Sequence, residues 1–303
     1  MLLVITERDS YCYNAIEHIF EVVLTKNIDE IYVLVHPDHG SPLTVSSLID
    51  QLANIYDSFF QLTSVSKEKL NINVLLYDEK YDPEIASQLW TSVLYTDSVD
   101  VFSIPKAYIE HVDKNKIHSI STSTIECTIE KHRKYRLSNP ESTYESIPVV
   151  AVGGTFDHLH DGHKILLTVS AFLTGRRLIV GVTGPGLLGN KKYVEYMESF
   201  EIRVRNVNSF VKIIKPGLFP DIYEINDVCG PTAQVESIDA LVVSLESYKG
   251  AEFVNNKRRE LGWKPLDVYT IGVLGGNEET FNHKMSSTDY RKAEYLRDHA
   301  DRV

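Results

Sequence analysis

Short apolar runs rich in β-branched residues alternate along this chain with longer stretches whose apolar positions recur every three or four residues. That alternation predicts parallel strands joined by helices. Leu2–Thr6 is the first strand, followed by a helix capped by Asp9 or Ser10 with Ile16, Ile19, Phe20 and Val23 on one face. Ile31–Val35 is the second strand, closed by His36-Pro37, and residues 43–63 form a long helix. Ile72–Tyr77 reads as a third strand, Pro83–Tyr95 as a helix and Val99–Ser103 as a fourth strand. Residues 131–148 are polar, hold two prolines and lose all periodicity, which marks a linker.

After the linker the pattern restarts. Strand 149–153 leads to helix 162–174, stopped by Gly175, and then to the strand Leu178–Val182. A glycine-rich loop, a helix through Val211, and strands at Asp221–Asn226 and Ala240–Ser244 follow. Helix Lys249–Leu261 ends at Gly262, Val268–Val273 is the last strand and Ser286–His299 the last helix. The expectation is two α/β domains, 1–133 and 148–303, joined by a linker at 134–147, each a parallel sheet with right-handed crossovers. The halves align as a divergent duplication, Leu2 against Val149 and Tyr32–Val35 against Ile179–Val182. Val99–Ser103 falls against Ile238–Ser244, and Ile120–Thr124 against Met285–Thr288.

Composition narrows the class. With 43% hydrophobic and 24% charged residues the chain is globular, and a net charge of −11 excludes a phosphate-tracking nucleic-acid surface. An anionic substrate must then be captured by a local basic pocket. No apolar run approaches the ~18 residues of a membrane span, and the first residues are too soon charged for a signal peptide. Cys12, Cys127 and Cys229 are odd in number and widely spaced, so reduced thiols in a cytoplasmic protein are expected, with the nucleus also open to it.

The chemistry concentrates in Val149–Lys164. An apolar strand breaks at Gly153-Gly154, passes Thr155-Phe156-Asp157 and reaches His160-Asp161-Gly162-His163 at a helix start. Backbone N–H groups and the positive helix end there face an anion, and two histidines on one helix face can donate to phosphate oxygens. Gly162 lets a nucleotide approach the backbone closely. As a metal site the histidines lack a third ligand. Far downstream, Ser286-Ser287-Thr288 with Arg291 one turn on forms a second anion cradle. Two cradles at the C-terminal ends of parallel strands suit a triphosphate held between them.

Thr155, His160-x-Gly162-His163 and Ser286–Arg291 resemble the two signatures of the HxGH nucleotidyltransferase superfamily. Within it, Gly153–Lys164, Leu187-Leu188…Lys191, Arg203, Val242–Ser244…Glu246 with Gly250, Asn256–Arg258 and Lys284…Arg291 are most similar to eukaryotic phosphopantetheine adenylyltransferases. The resemblance covers roughly residues 148–297, and Leu245 departs from it where relatives often carry a second acid. It implies a Rossmann-like nucleotidyltransferase domain preceded by a degenerate, catalytically inactive α/β copy of similar topology. In that copy Glu7-Arg8-Asp9 puts acid where phosphate would sit.

The resemblance further implies ATP with Mg²⁺ and 4′-phosphopantetheine as substrates, dephospho-coenzyme A as product, and coenzyme A synthesis as the setting, with its other enzymes as candidate partners. Neither nucleic acid nor membrane is implied. The upstream extension, with no kinase domain following, is similar to the fungal form. Catalysis falls to His163, His160, Thr155, Lys191 and Arg203. Gly153, Gly154, Thr155, Phe156, His160, Gly162, His163, Glu246, Ser286, Ser287, Thr288 and Arg291 bind ATP, with the last four on the β- and γ-phosphates. Thr155, Lys191 and Arg203 hold the acceptor. Residue types alone leave open another superfamily reaction, with nicotinamide mononucleotide or a cytidylyl donor, and a non-catalytic scaffold.

Overall fold

The computed structural model describes residues 1–37, 43–66, 69–127, 146–189, 191–271 and 286–300. These gather into two compact units, residues 1–133 with 213–217, and residues 134–212 with 218–303. The expected linker lies outside the described residues except at its end, where Ile147 already belongs to a strand.

In the first unit β1 (Leu2–Thr6) is wholly buried, as a strand covered on both faces must be. Thr6 caps the short α1 (Glu7–Ser10) in a reciprocal capping box with Asp9. Then come α2 (Tyr13–Leu24), β2 (Glu30–His36), α3 (Val45–Ser66), β3 (Asn71–Leu75) and α4 (Pro83–Leu89). Asp82 starts α4 by accepting from the Glu84 and Ile85 N–H groups.

The fourth strand corrects the sequence reading. β4 is Val93–Thr96, pairing with β1, while Val101–Ser103 is a single 3₁₀ turn capped by Asp100. Trp90 ends the helix early. Its backbone turns extended, and its buried indole donates to the Tyr108 carbonyl inside a Tyr32/Tyr81/Trp90/Tyr108 cluster. α5 (Lys106–Ile109) and β5 (Ile117–Ile120) complete the unit, β5 being a strand the apolar pattern did not announce.

The thiol expectation also fails here: Cys12 and Cys127 form a disulfide, with Cα atoms 5.2 Å apart, and Cys229 is the free thiol. Arg8 and Asn14 donate to the Ile125 and Glu126 carbonyls, which lays residues 125–127 against the start of α2. That contact links positions 115 residues apart, a distance over which spacing carries no signal.

The second unit repeats the architecture with β6 (Ile147–Gly154), α6 (Asp161–Leu173), β7 (Thr174–Thr183), α7 (Phe200–Ile214), β8 (Asp221–Ile225), β9 (Ala240–Ser244), α8 (Tyr248–Glu260), β10 (Asp267–Ile271) and α9 (Ser287–Ala300). Gly175 does not terminate a helix as expected; it lies inside β7, which begins at Thr174. The sheet orders are β3-β2-β1-β4-β5 and β8-β7-β6-β9-β10, all parallel. Counted within each unit both read 3-2-1-4-5, the doubly wound order whose switch point lies beside its first strand.

Arg258 fastens the second unit from inside. Its guanidinium is 1% exposed and donates to the carbonyls of Thr232, Val235, Glu236, Ile238 and Lys264, which pins the loop before β9 to α8.

Candidate active site

The site opens at the C-terminal edge of the second sheet, beside the β6/β9 switch point. A cavity of about 850 Å³ is lined by residues from the ends of β6, β7, β8, β9 and β10. Three helix N-termini converge on it: His160, Gly162 and His163 from α6, Ser247 and Gly250 from α8, and Ser286, Ser287 and Thr288 from α9. Each brings its first-turn N–H groups and the positive end of its dipole to the cavity. Lys191, Arg291, His160 and His163 also line the cavity, against Glu246 as the one carboxylate among its described lining residues. A chain of net charge −11 thus turns a basic pocket toward an anion.

The signature loop has a bent backbone that the sequence explains. Phe156 and His158 adopt left-handed conformations, φ 51° and 47°, a cost that tertiary structure must offset. The Phe156 ring is fully buried, sits 5.3 Å from the His163 ring, and does not line the cavity. The ring is a platform beneath the histidine. Gly154 makes room for it: a Cβ there would meet three Phe156 ring carbons at 3.1–3.3 Å. His160 and His163 lie near-parallel, ring centres 3.9 Å apart.

The two arginines assigned to phosphates are both buried, Arg203 away from the cavity and Arg291 on its wall. Arg203, 2% exposed, donates to the carbonyls of Thr155, Thr183 and Glu198, so it ties the β6 and β7 loops together. Burial pulls its guanidinium below the ordinary range, and Asp157 and Glu198 oppose that shift. Arg291, 1% exposed, pairs with the buried Asp157 carboxylate, donates from Nε to the Lys192 carbonyl at 3.0 Å, and reaches Thr288 Oγ1. Its reach to Lys192 fixes the segment that presents Lys191.

Asp157 is the hub. Its other oxygen accepts from the Glu198 N–H at 2.9 Å, while Glu198 accepts from the His158 N–H at 2.7 Å. Ser287 Oγ donates to the Asp157 carbonyl, so the second signature is bonded to the first. Asp157, His158 and Glu198 place potential metal-ligating atoms within 4.8 Å of one another, yet both carboxylates already accept from N–H donors. Glu198 is the organising residue that sequence reading missed, since a lone acid ahead of a helix carries no signal. Asp289 closes the α9 start by accepting from Ser286, whose N–H holds its carboxyl below the usual range.

Thr155, Gly153 and Gly154 line the cavity beside the histidines, with Lys191 across from them on the loop after β7 and Glu246 on the turn before α8. Lys284, part of the expected second signature, lies outside the described residues. Leu187, Ile225, Val228 and Cys229 add an apolar wall on the β7/β8 side that spacing did not reveal. Burial raises the Cys229 thiol pKa. Among the described residues no helix is long and apolar enough to cross a membrane.

Comparison with known proteins agrees with this geometry. A cytidylyltransferase-like family model matches residues 151–293. The phosphopantetheine adenylyltransferase of Saccharomyces cerevisiae is 52% identical over 145 residues, 48% of either chain. An uncharacterized protein of Schizosaccharomyces pombe is 34% identical over 214 residues, 67% of this chain and 65% of that one. The phosphopantetheine adenylyltransferase of Pyrococcus abyssi is 39% identical over 125 residues, 41% of this chain and 78% of that enzyme. The matched region therefore spans about half the length of the yeast relative and most of the archaeal one. By its second unit, this chain belongs to the phosphopantetheine adenylyltransferase family.

Proposed function

We propose that the protein transfers the adenylyl group of ATP to 4′-phosphopantetheine, giving dephospho-coenzyme A and pyrophosphate. One observation carries this reading: both signature segments, Thr155/His160/His163 and Ser286–Thr288, line a single cavity with Lys191. A phosphate oxygen of the acceptor attacks the α-phosphorus of ATP, and the bond from that phosphorus to the bridging oxygen of pyrophosphate breaks. The acceptor is already ionised near neutral pH, so positioning and charge stabilisation suffice, without a protein nucleophile. His163 and Thr155 hold the α-phosphate and the attacking group. His160 and the α9 N-terminus take up charge as pyrophosphate leaves, and Lys191 anchors the acceptor phosphate. Arg203 and Arg291 act by holding the loops that carry these groups.

Mg²⁺, when bound with ATP, neutralises charge building on the leaving group. Glu246 is the one carboxylate among the described lining residues, so the cavity would offer the ion few protein ligands and phosphate oxygens would supply the rest.

The first unit we read as a non-catalytic copy. The same strand order supports this, as does Asp9, whose buried carboxylate accepts from Thr6 and from Thr96 at 2.7 Å where the second unit directs helix N–H groups at an anion. Calorimetric titration of the full chain with ATP should then give one site per chain, and two sites would overturn that part. We place the activity in the cytoplasm. The functional test is pyrophosphate release with ATP and 4′-phosphopantetheine, beside nicotinamide mononucleotide as acceptor and CTP as donor. Turnover with ATP and phosphopantetheine alone, abolished in His163→Ala, supports the reading. Preference for another pair redirects it within the superfamily, and a folded protein inert to all of them leaves the scaffold.

A further inference from the structure

Tyr290 lies in the second signature, between Asp289 and Arg291, and no role so far described uses it. Its ring is near-parallel to His160, centres 6.5 Å apart at 5°, and to His158, 5.8 Å apart at 18°. Both distances lie in the range where aromatic rings attract beyond simple burial. His160 continues the series to His163, which rests on Phe156.

His158 has a carboxylate close to each ring nitrogen, although Nδ1 makes no hydrogen bond. Nδ1 lies 3.1 Å from Asp157 Oδ1, and Nε2 lies 3.3 Å from Glu294 Oε1. Glu294 is one helical turn beyond Tyr290, so the two share a face of α9. Ser287 and Arg291 bond that helix to Asp157. The left-handed backbone at His158 is the local strain that lets this ring meet α9.

We propose that Tyr290 is a positioning residue for His160. Its planar face fixes the imidazole orientation in the cavity, and His158, braced by Glu294, holds the tyrosine ring in place. The inference rests on the adenylyl-transfer reading. A histidine that takes up charge only in the transition state must be aimed before reaction, and a displacement of about 1 Å can cost about 100-fold in rate. Tyr290 does not line the cavity, so its removal should act on kcat and not on ATP binding.

The test uses the full chain and steady-state kinetics with ATP and phosphopantetheine. Tyr290→Phe keeps the ring and should stay within about twofold of wild type. Tyr290→Met fills the space without a planar face and should lower kcat about 10- to 100-fold, with KM for ATP changed less than about threefold. In a His160→Ala background the same Tyr290→Met change should cost less than about twofold, because residues acting as a unit are not additive. Equal losses in the two backgrounds, a loss confined to KM, or Tyr290→Phe as impaired as Tyr290→Met would each overturn the proposal. Should Tyr290→Met fail to fold, Glu294→Gln removes the brace from a partly exposed position. A drop in kcat that vanishes with His160→Ala supports the proposal, and one that persists sinks it. Wild-type protein without turnover would instead refute the activity reading, and this inference with it.

Discussion

Removing Arg291 should unfold the active site before it weakens ATP binding. Asp157 is fully buried and Arg291 1% exposed, so Arg291→Met strands a carboxylate in a dry interior. Breaking a buried pair from one side costs about 3–5 kcal/mol. The Glu198 N–H and His158 still face Asp157 Oδ1, so we expect the lower half of that range. For a unit of this size that lowers the melting transition by roughly 10 °C. Asp157→Asn should cost a similar amount by stranding the guanidinium. The double variant should cost about 2 kcal/mol less than the two single losses together, the coupling of groups in one network. Differential scanning calorimetry of the four proteins closes the cycle, with ATP affinity measured well below the transition. Stability within about 1 kcal/mol of wild type together with a tenfold weaker ATP affinity would refute the reasoning. Arg291 would then be a phosphate ligand of the kind the resemblance implies.

Gly154→Ala should lower stability by about 1–3 kcal/mol and kcat with it, because its Cβ pushes on the ring that supports His163; an unchanged melting curve would show that the ring yields. Non-reduced, denatured protein should titrate one thiol, Cys229, and reduced protein three. Closing so long a loop stabilises by up to about 5 kcal/mol on the chain-entropy model, so reduction should lower the first unit's melting transition. Three thiols without reductant would remove the crosslink from the account. Asp97 accepts from the Thr122 N–H first, then from Ser123 and Ser121, and its carboxyl lies below the usual carboxylate range. Its contribution is therefore complete above the unfolded value of about 4 and lost as pH falls toward the folded one. Asp97→Asn should flatten the acid side of the stability curve, and parallel curves for variant and wild type would contradict this.

Where one local rule governs, the sequence was readable: the buried runs of β1, β6 and β9, the helical faces of α2 and α3, and the glycine turn into α6 all follow period and punctuation. Val99–Ser103 misled because its apolar alternation mimics a strand, while the real strand, Val93–Thr96, was hidden behind a helix that Trp90 ends through a contact with Tyr108. The Cys12–Cys127 pair and the burial of Arg203 and Arg291 depend on which distant backbone lies opposite, and no spacing encodes that. Motifs identified which residues gather at the site. They did not say which would face the cavity and which would hold the others, as Phe156 beneath His163 shows.

The central claim is a single in-line displacement at the α-phosphorus of ATP, promoted by positioned donors without a protein nucleophile. Its most direct test is stereochemical, with ATP made chiral at the α-phosphorus by sulfur substitution and the configuration of the dephospho-coenzyme A product read by phosphorus NMR. This account predicts inversion. Retention would require two displacements through a covalent adenylyl-enzyme and would contradict it.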